Sequence, residues 1–234
     1  MIEKNYSVSS RKKPNVLFIF DDQHRKDACS IYGGKNINTP NIDRLAKEGI
    51  LFNNAISTVP VCTPYRGMLM TGKYPTHSGV VLNFIETNPN QSFIASLFKD
   101  SGYHTGYIGK WHVGSEKIGI PKQHGVDWQM ATAKHGLPGS YFHPYKKKGL
   151  STADVPDLED GKPGDYLTDV LTEKGIGFIR ETAKEGKKPF FLILGHYAVH
   201  TPIQAPKKLV EKYQAKKKRM YDATPLKMIP ERFN

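Results

Sequence analysis

The sequence predicts an α/β protein built on a largely parallel sheet. Three observations carry this. Residues 15–20 (Asn-Val-Leu-Phe-Ile-Phe) and 190–194 (Phe-Phe-Leu-Ile-Leu) are short, nearly unbroken apolar runs of the kind found in strands buried between helical layers. Strand-like stretches alternate with stretches of helical periodicity, the order expected of parallel sheets. Polar residues gather just beyond three apparent strand ends, at 21–22, 110–112 and 200. Ligands of open α/β sheets bind at the carboxyl ends of strands, so three separate segments point at one place.

The elements follow in chain order. Residues 15–20 read as a strand buried on both faces, ending in Asp21-Asp22. Thr39 caps a helix with Pro40 in its first turn; Ile42, Leu45 and Ala46 form its apolar stripe and Gly49 closes it. Residues 51–57 suit a short strand. Residues 66–71 read as a helix stopped by Gly72. Ser92 caps the next helix, with Ile94, Leu97 and Phe98 inward and Gly102 at its end. Residues 103–108 form a strand that delivers Gly109-Lys110-Trp111-His112. Residues 113–164, rich in Gly, Pro and Lys, read as long loops around a site mouth. Residues 166–185 form a long amphipathic helix with Leu167, Val170, Leu171 and Phe178 on one side. The strand at 190–194 leads into Gly195-His196-Tyr197-Ala198-Val199-His200-Thr201-Pro202. A basic helix follows from Pro206, and the last twenty residues read as irregular. There is no internal repeat.

A chain of 234 residues can bury a core without staples. Two cysteines, Cys29 and Cys62, argue against a disulfide framework. No apolar run is long enough to cross a membrane. Residues 1–14 form a basic polar tail without the apolar centre of a signal peptide. As written the chain would be cytoplasmic; a removed leader would make it periplasmic or secreted. The net charge of +12 favours acidic partners. Much of the excess sits in clusters at 11–13, 146–148, 207–208 and 216–219, which read as solvated loops and helix faces. Basic residues are not interleaved with aromatics and no nucleic-acid module is present, so nucleic acid is not an expected partner.

Adjacent carboxylates directly after a strand, Asp21-Asp22, suit a hard divalent cation, though a solvated turn or helix cap would look the same. Cys62 precedes Pro64 and lies near a helix start, where a thiolate can be an activated nucleophile; a lone cysteine also serves as a small buried apolar group. Lys110 and His112, two apart on an extended segment, would share one face. Lys can clamp an anion and His can move a proton. His200 is held in a loop before Thr201-Pro202. Singly, each of these is more often a structural or surface residue. Together with Arg66, they would line a cationic pocket for a tetrahedral oxyanion beside a metal.

Cys62-Thr63-Pro64-Tyr65-Arg66-Gly67, continuing to Met70-Thr71-Gly72, resembles the signature of the type I sulfatases of the alkaline phosphatase-like superfamily. Tyr65 departs from the Ser or Ala usual there, which bears on modification efficiency and pocket shape. Three further segments resemble family motifs in the same order: Asn15 to Asp22 with the helix from Thr39, then Gly106 to His112, then Ala198-Val199-His200-Thr201-Pro202. The resemblance implies an alkaline phosphatase-like fold, a central parallel sheet flanked by helices. It implies Ca²⁺ bound by Asp21, Asp22 and residue 62, with Cys62 oxidised to formylglycine by a maturation enzyme. Arg66 would hold residue 62, Lys110 would contact the sulfate, His112 would assist turnover, and His200 would bind sulfate or protonate the leaving oxygen. The implied reaction has two steps: one hydroxyl of the aldehyde hydrate attacks sulfur and expels the alcohol, then the second loses its proton and sulfate leaves.

The family normally continues into a further Asp-Asn or Asp-His pair and another Lys; nothing after His200 matches, and Asp222 lies in the wrong context. Residues 15–234 are therefore expected to be the N-terminal portion of a sulfatase catalytic domain, incomplete at its C-terminus, binding metal weakly and turning over slowly when alone. The expected substrate is a sulfated small molecule or glycan. Two other readings stay open: a phosphodiesterase or phosphonate monoester hydrolase of the same superfamily, and an inactive remnant that binds anionic glycans.

Overall fold

A computed structural model describes residues 12–88, 90–113, 119–132, 136–146 and 155–223, with side chains described as far as 215. The elements are β1 (Val16–Phe20), α1 (Pro40–Glu48), α2 (Cys62–Thr71), α3 (Pro75–Ser78), α4 (Ile94–Asp100), β2 (His104–Gly109), β3 (Trp128–Met130), α5 (Leu167–Glu185), β4 (Phe190–Gly195) and α6 (Lys207–Ala223). The chain divides into two compact units, one of Met1–His24 with Ala55–Pro202, the other of Arg25–Asn54 with Ile203–Asn234.

The first unit holds a four-stranded sheet in the order β1-β4-β2-β3. Every pairing is parallel. One face carries α5, whose Leu167, Leu171 and Phe178 pack on Ile108, Leu192 and Leu194. The other face carries a second cluster in which Met70 of α2 and Ala95 of α4 meet Tyr107, Phe191 and Ile193. β4 is central and buried at all six positions, which is what its unbroken apolar run requires. The sheet thus directs the ends of β1, β2 and β4 to one edge of the unit. In the second unit Asp43 of α1 accepts hydrogen bonds from the Ile31 amide (3.0 Å) and the Ser30 and Thr39 hydroxyls (2.9 and 3.0 Å), tying the helix to the preceding turn.

Several expectations are corrected. β1 is an edge strand: Val16, Phe18 and Phe20 pack on the core while Leu17 and Ile19 are exposed. An apolar run by itself does not separate an edge strand from a central one. α1 buries none of its residues, and its Ile42 and Leu45 are exposed. Residues 51–57 form irregular backbone with a turn at 53–54, not a strand. Leu97 of α4 faces outward, and Ala95 is the buried position. The stretch 113–164 contains β3, paired to β2 through Gly106, Tyr107 and Ile108. α6 runs to Ala223, so part of the last twenty residues is helical. Most of the basic tail, and much of the clusters at 146–148 and 216–219, lies outside the described residues or side chains.

Candidate active site

β1 and β4 stay joined beyond their last ladder pair. The His196 amide donates to the Phe20 carbonyl (3.0 Å), the Asp22 amide to the Ala198 carbonyl (2.9 Å), and the Val199 amide to the Asp22 carbonyl (2.8 Å). These bonds hold Asp21-Asp22 beside the loop that carries His200. β2 ends differently. Gly109 has φ 92°, and a side chain there would strike the Gly195 carbonyl, so a glycine is needed for Lys110 to turn in. The Lys110 amide then donates to the Gly195 carbonyl at 2.8 Å.

α2 begins at Cys62, after an extended Val61. Arg66, one turn on, is almost fully buried beneath it. Its Nη2 donates to Asp22 Oδ2 (2.8 Å), its Nη1 to the Lys110 carbonyl, and its guanidinium lies 4.8 Å from the centre of the Phe20 ring. Lys110 Nζ donates to the same Asp22 oxygen at 2.7 Å and lies 3.6 Å from Cys62 Sγ. Burial opposes the charge on Asp22 and is the largest single influence on it. Arg66 and Lys110 together outweigh that burial and hold the carboxyl below its ordinary value. Tyr107 also donates to the Lys110 carbonyl. Its complete burial pushes the phenol up to about 12, so it remains a donor at any physiological pH.

Ligand atoms of Asp22, Cys62 and His200 lie within 4.8 Å of one another. Asp21, Asp22, Cys62, Arg66 and His200 line one open cavity of about 690 Å³, together with Gln23, His24, Tyr65 and Asn83. Asp21 accepts from or shares a proton with His24 Nδ1 at 2.8 Å. Nδ1 of His200 sits 3.1 Å from the Thr201 hydroxyl, and Tyr141 donates to the His200 carbonyl at 3.0 Å. His112 is placed differently. Its φ is 53°, so the segment from Lys110 turns instead of running extended. His112 is buried against the edge of Phe84 and is not among the cavity's lining residues.

Sequence reasoning missed Asn83, Gln23 and His24. Asn83 is the lone polar residue in Val80-Val81-Leu82-Asn83-Phe84, and that interruption was its only signal. Its Oδ1 accepts the Thr63 amide at 2.9 Å, next to Cys62.

The donor set around Asp21 and Asp22 suits a hard cation in kind. Asp22 Oδ2 is taken by two cations, which leaves Oδ1 available, and Gln23 adds an amide to the cavity wall. Ca²⁺ takes six to eight oxygens, so the described residues supply part of such a shell.

A family model described as Sulfatase matches residues 14–229. The chain is 34% identical to the uncharacterized sulfatase YidJ of Escherichia coli, over 86% of this chain and 41% of that protein. It is 34% identical to an N-acetylglucosamine-6-O-sulfatase of Bacteroides thetaiotaomicron, over 84% of this chain and 32% of that one. Its fold is similar to that of Ps i-CgsB, solved in complex with k-i-k-neocarrahexaose: TM-score 0.74, 32% identity, 87% of this chain and 49% of that one. The chain spans less than half the length of each of these relatives.

Proposed function

We propose that this chain, which belongs to the sulfatase family, carries the nucleophile and anion pocket of a centre that hydrolyses sulfate monoesters at residue 62. One observation supports this above the rest: a buried carboxylate, Asp22, held by Arg66 and Lys110, with the ammonium of Lys110 against Cys62 and His200 within reach. Such a site neutralises charge that develops on oxygen at residue 62.

The roles follow from the contacts. Arg66 is locked by three partners and fixes the start of α2 relative to Asp22. Lys110 places a positive charge where sulfuryl oxygens would sit. With Nδ1 of His200 engaged by Thr201, its Nε2 is the atom to give a proton to the leaving oxygen. His112 is the candidate for a second proton transfer, at a ring nitrogen. Converted to formylglycine by a formylglycine-generating enzyme, residue 62 would supply an oxygen nucleophile in place of sulfur. Ca²⁺ held by Asp21, Asp22 and residue 62 would supply Lewis-acid stabilisation of charge on oxygen. The substrate class is sulfated small molecules or glycans, in keeping with relatives whose names specify sulfated sugars.

The test is to produce the chain with a formylglycine-generating enzyme and identify residue 62 by mass spectrometry. The aldehyde form is expected to show slow hydrolysis of an aryl sulfate that Cys62→Ala abolishes. A thiol that stays unconverted overturns the reading, as does an aldehyde form that cleaves aryl phosphate diesters but no sulfate ester.

A further inference from the structure

Asn83 belongs to none of the motifs that carry the family resemblance, yet it lines the same cavity as Asp22, Cys62, Arg66 and His200. It is half-buried, at a turn that follows α3. Its Oδ1 accepts the amide of Thr63, the residue directly after the nucleophile, at 2.9 Å. That bond fixes the orientation of the side-chain amide. A backbone N–H needs an acceptor, so the oxygen must face Thr63 and the nitrogen must face away from it. The amide nitrogen, with two donors, has no other partner among the described residues. Asn83 therefore lines a cavity whose reactive atom belongs to the residue next to its anchor, Thr63. Such a donor pair matches an oxygen-rich anion, and a neutral one adds no further charge to a site where Arg66 and Lys110 already meet Asp22.

We propose that Asn83 is a substrate-binding residue whose amide nitrogen donates to an oxygen of the tetrahedral anion held at residue 62. The assignment rests on the sulfatase reading above. It differs from a simple helix cap, in which only the oxygen of Asn83 matters.

Asn83→Asp separates the two roles. It keeps the acceptor for Thr63 and adds negative charge at the start of α2, which preserves or strengthens the cap. It removes both donors and repels an anion. The probe is inorganic sulfate, read as protection of the Cys62 thiol from iodoacetamide in the unmatured chain, so that neither oxidation of Cys62 nor turnover is required. Sulfate is expected to slow alkylation of the parent chain. In Asn83→Asp the half-protecting sulfate concentration rises about tenfold or more, the loss expected for hydrogen bonds to a charged group, while the melting temperature stays equal or rises. If Asn83→Asp melts lower, both chains are compared well below either melting temperature, so that any loss of protection is read on folded protein. Protection at the parent concentration in a folded variant overturns the role of Asn83 and leaves the sulfatase reading standing. Failure of sulfate to protect the parent thiol overturns the anion site itself, and Asn83 with it.

Discussion

Replacing Arg66 with methionine tests the centre of the site most directly. Methionine keeps much of the apolar stem and removes the guanidinium. The variant leaves Asp22, only 7% exposed, with Lys110 as its remaining cation, and takes a donor from the Lys110 carbonyl. Breaking one side of a buried charge pair costs about 3–5 kcal/mol. That is a large part of the 5–15 kcal/mol expected for a whole domain. With a urea m-value of roughly 3 kcal/mol/M, the midpoint should fall by about 1–1.7 M at pH 7. The pH dependence supplies the signature. The folded pKa of Asp22 lies below its ordinary value of 3.8, so its contribution is present above that value and is lost as pH falls through the lower folded pKa. Without Arg66 the carboxyl keeps only Lys110 against its burial and protonates at a higher pH than in the parent, which relieves an underpaired charge. The gap between parent and variant should therefore be widest near neutrality and shrink below about pH 4. Urea melts at both pH values measure it. A midpoint unchanged at neutral pH, or a gap that does not narrow in acid, would refute the reasoning.

Three further outcomes follow from particular contacts. Gly106→Ala would put a Cβ 2.9 Å from Leu192 Cδ1 and from the ring of Phe178, which is itself stacked on His104; a loss of about 1–3 kcal/mol in urea melts is expected. Tyr107→Phe removes a donor from the Lys110 carbonyl and should cost roughly 1 kcal/mol; in an absorbance titration it should also remove a tyrosine that ionises only near pH 12. His196 is buried with Nδ1 unpaired among the described residues, and burial depresses its pKa below the ordinary 6.5 despite the pull of Asp21 and Asp169. Its contribution is present above pH 6.5 and is lost as pH falls through the lower folded value, so His196→Gln should flatten the fall in stability below that pH, measured by thermal melts.

The strand ends were legible because each apolar run stops abruptly at polar residues. Val16 to Phe20 ends at Asp21-Asp22, Ile108 gives way to Gly109-Lys110, and the run from Phe190 leads to His200. Sheet order was not legible in the same way. β1 and β4 read alike, yet β4 is covered on both faces and β1 leaves Leu17 and Ile19 exposed, since only contacts between distant segments decide which strand is central. β3 escaped notice because three residues, Trp128-Gln129-Met130, carry no period to read. The turn at His112 escaped for a similar reason: a positive φ at a residue other than glycine leaves no mark in the sequence.

The two neighbouring carboxylates show what local pattern cannot separate. In the sequence Asp21 and Asp22 are an equivalent pair. In the fold, Asp22 is zipped by backbone bonds to Ala198 and Val199 and turned inward onto Arg66 and Lys110. Asp21, one residue earlier, is partly exposed and meets His24. Past the end of β1 the two side chains part: one carboxylate is buried and its neighbour is exposed, although both line the same cavity. Asp22 therefore sets the electrostatics next to Cys62, while Asp21 lines the same cavity. Placing unlike carboxylates side by side lets one organise the cations of the site while the other pairs with His24 at the cavity wall. The parallel sheet makes this possible only because β4 runs beside β1 and carries His200 past the same edge.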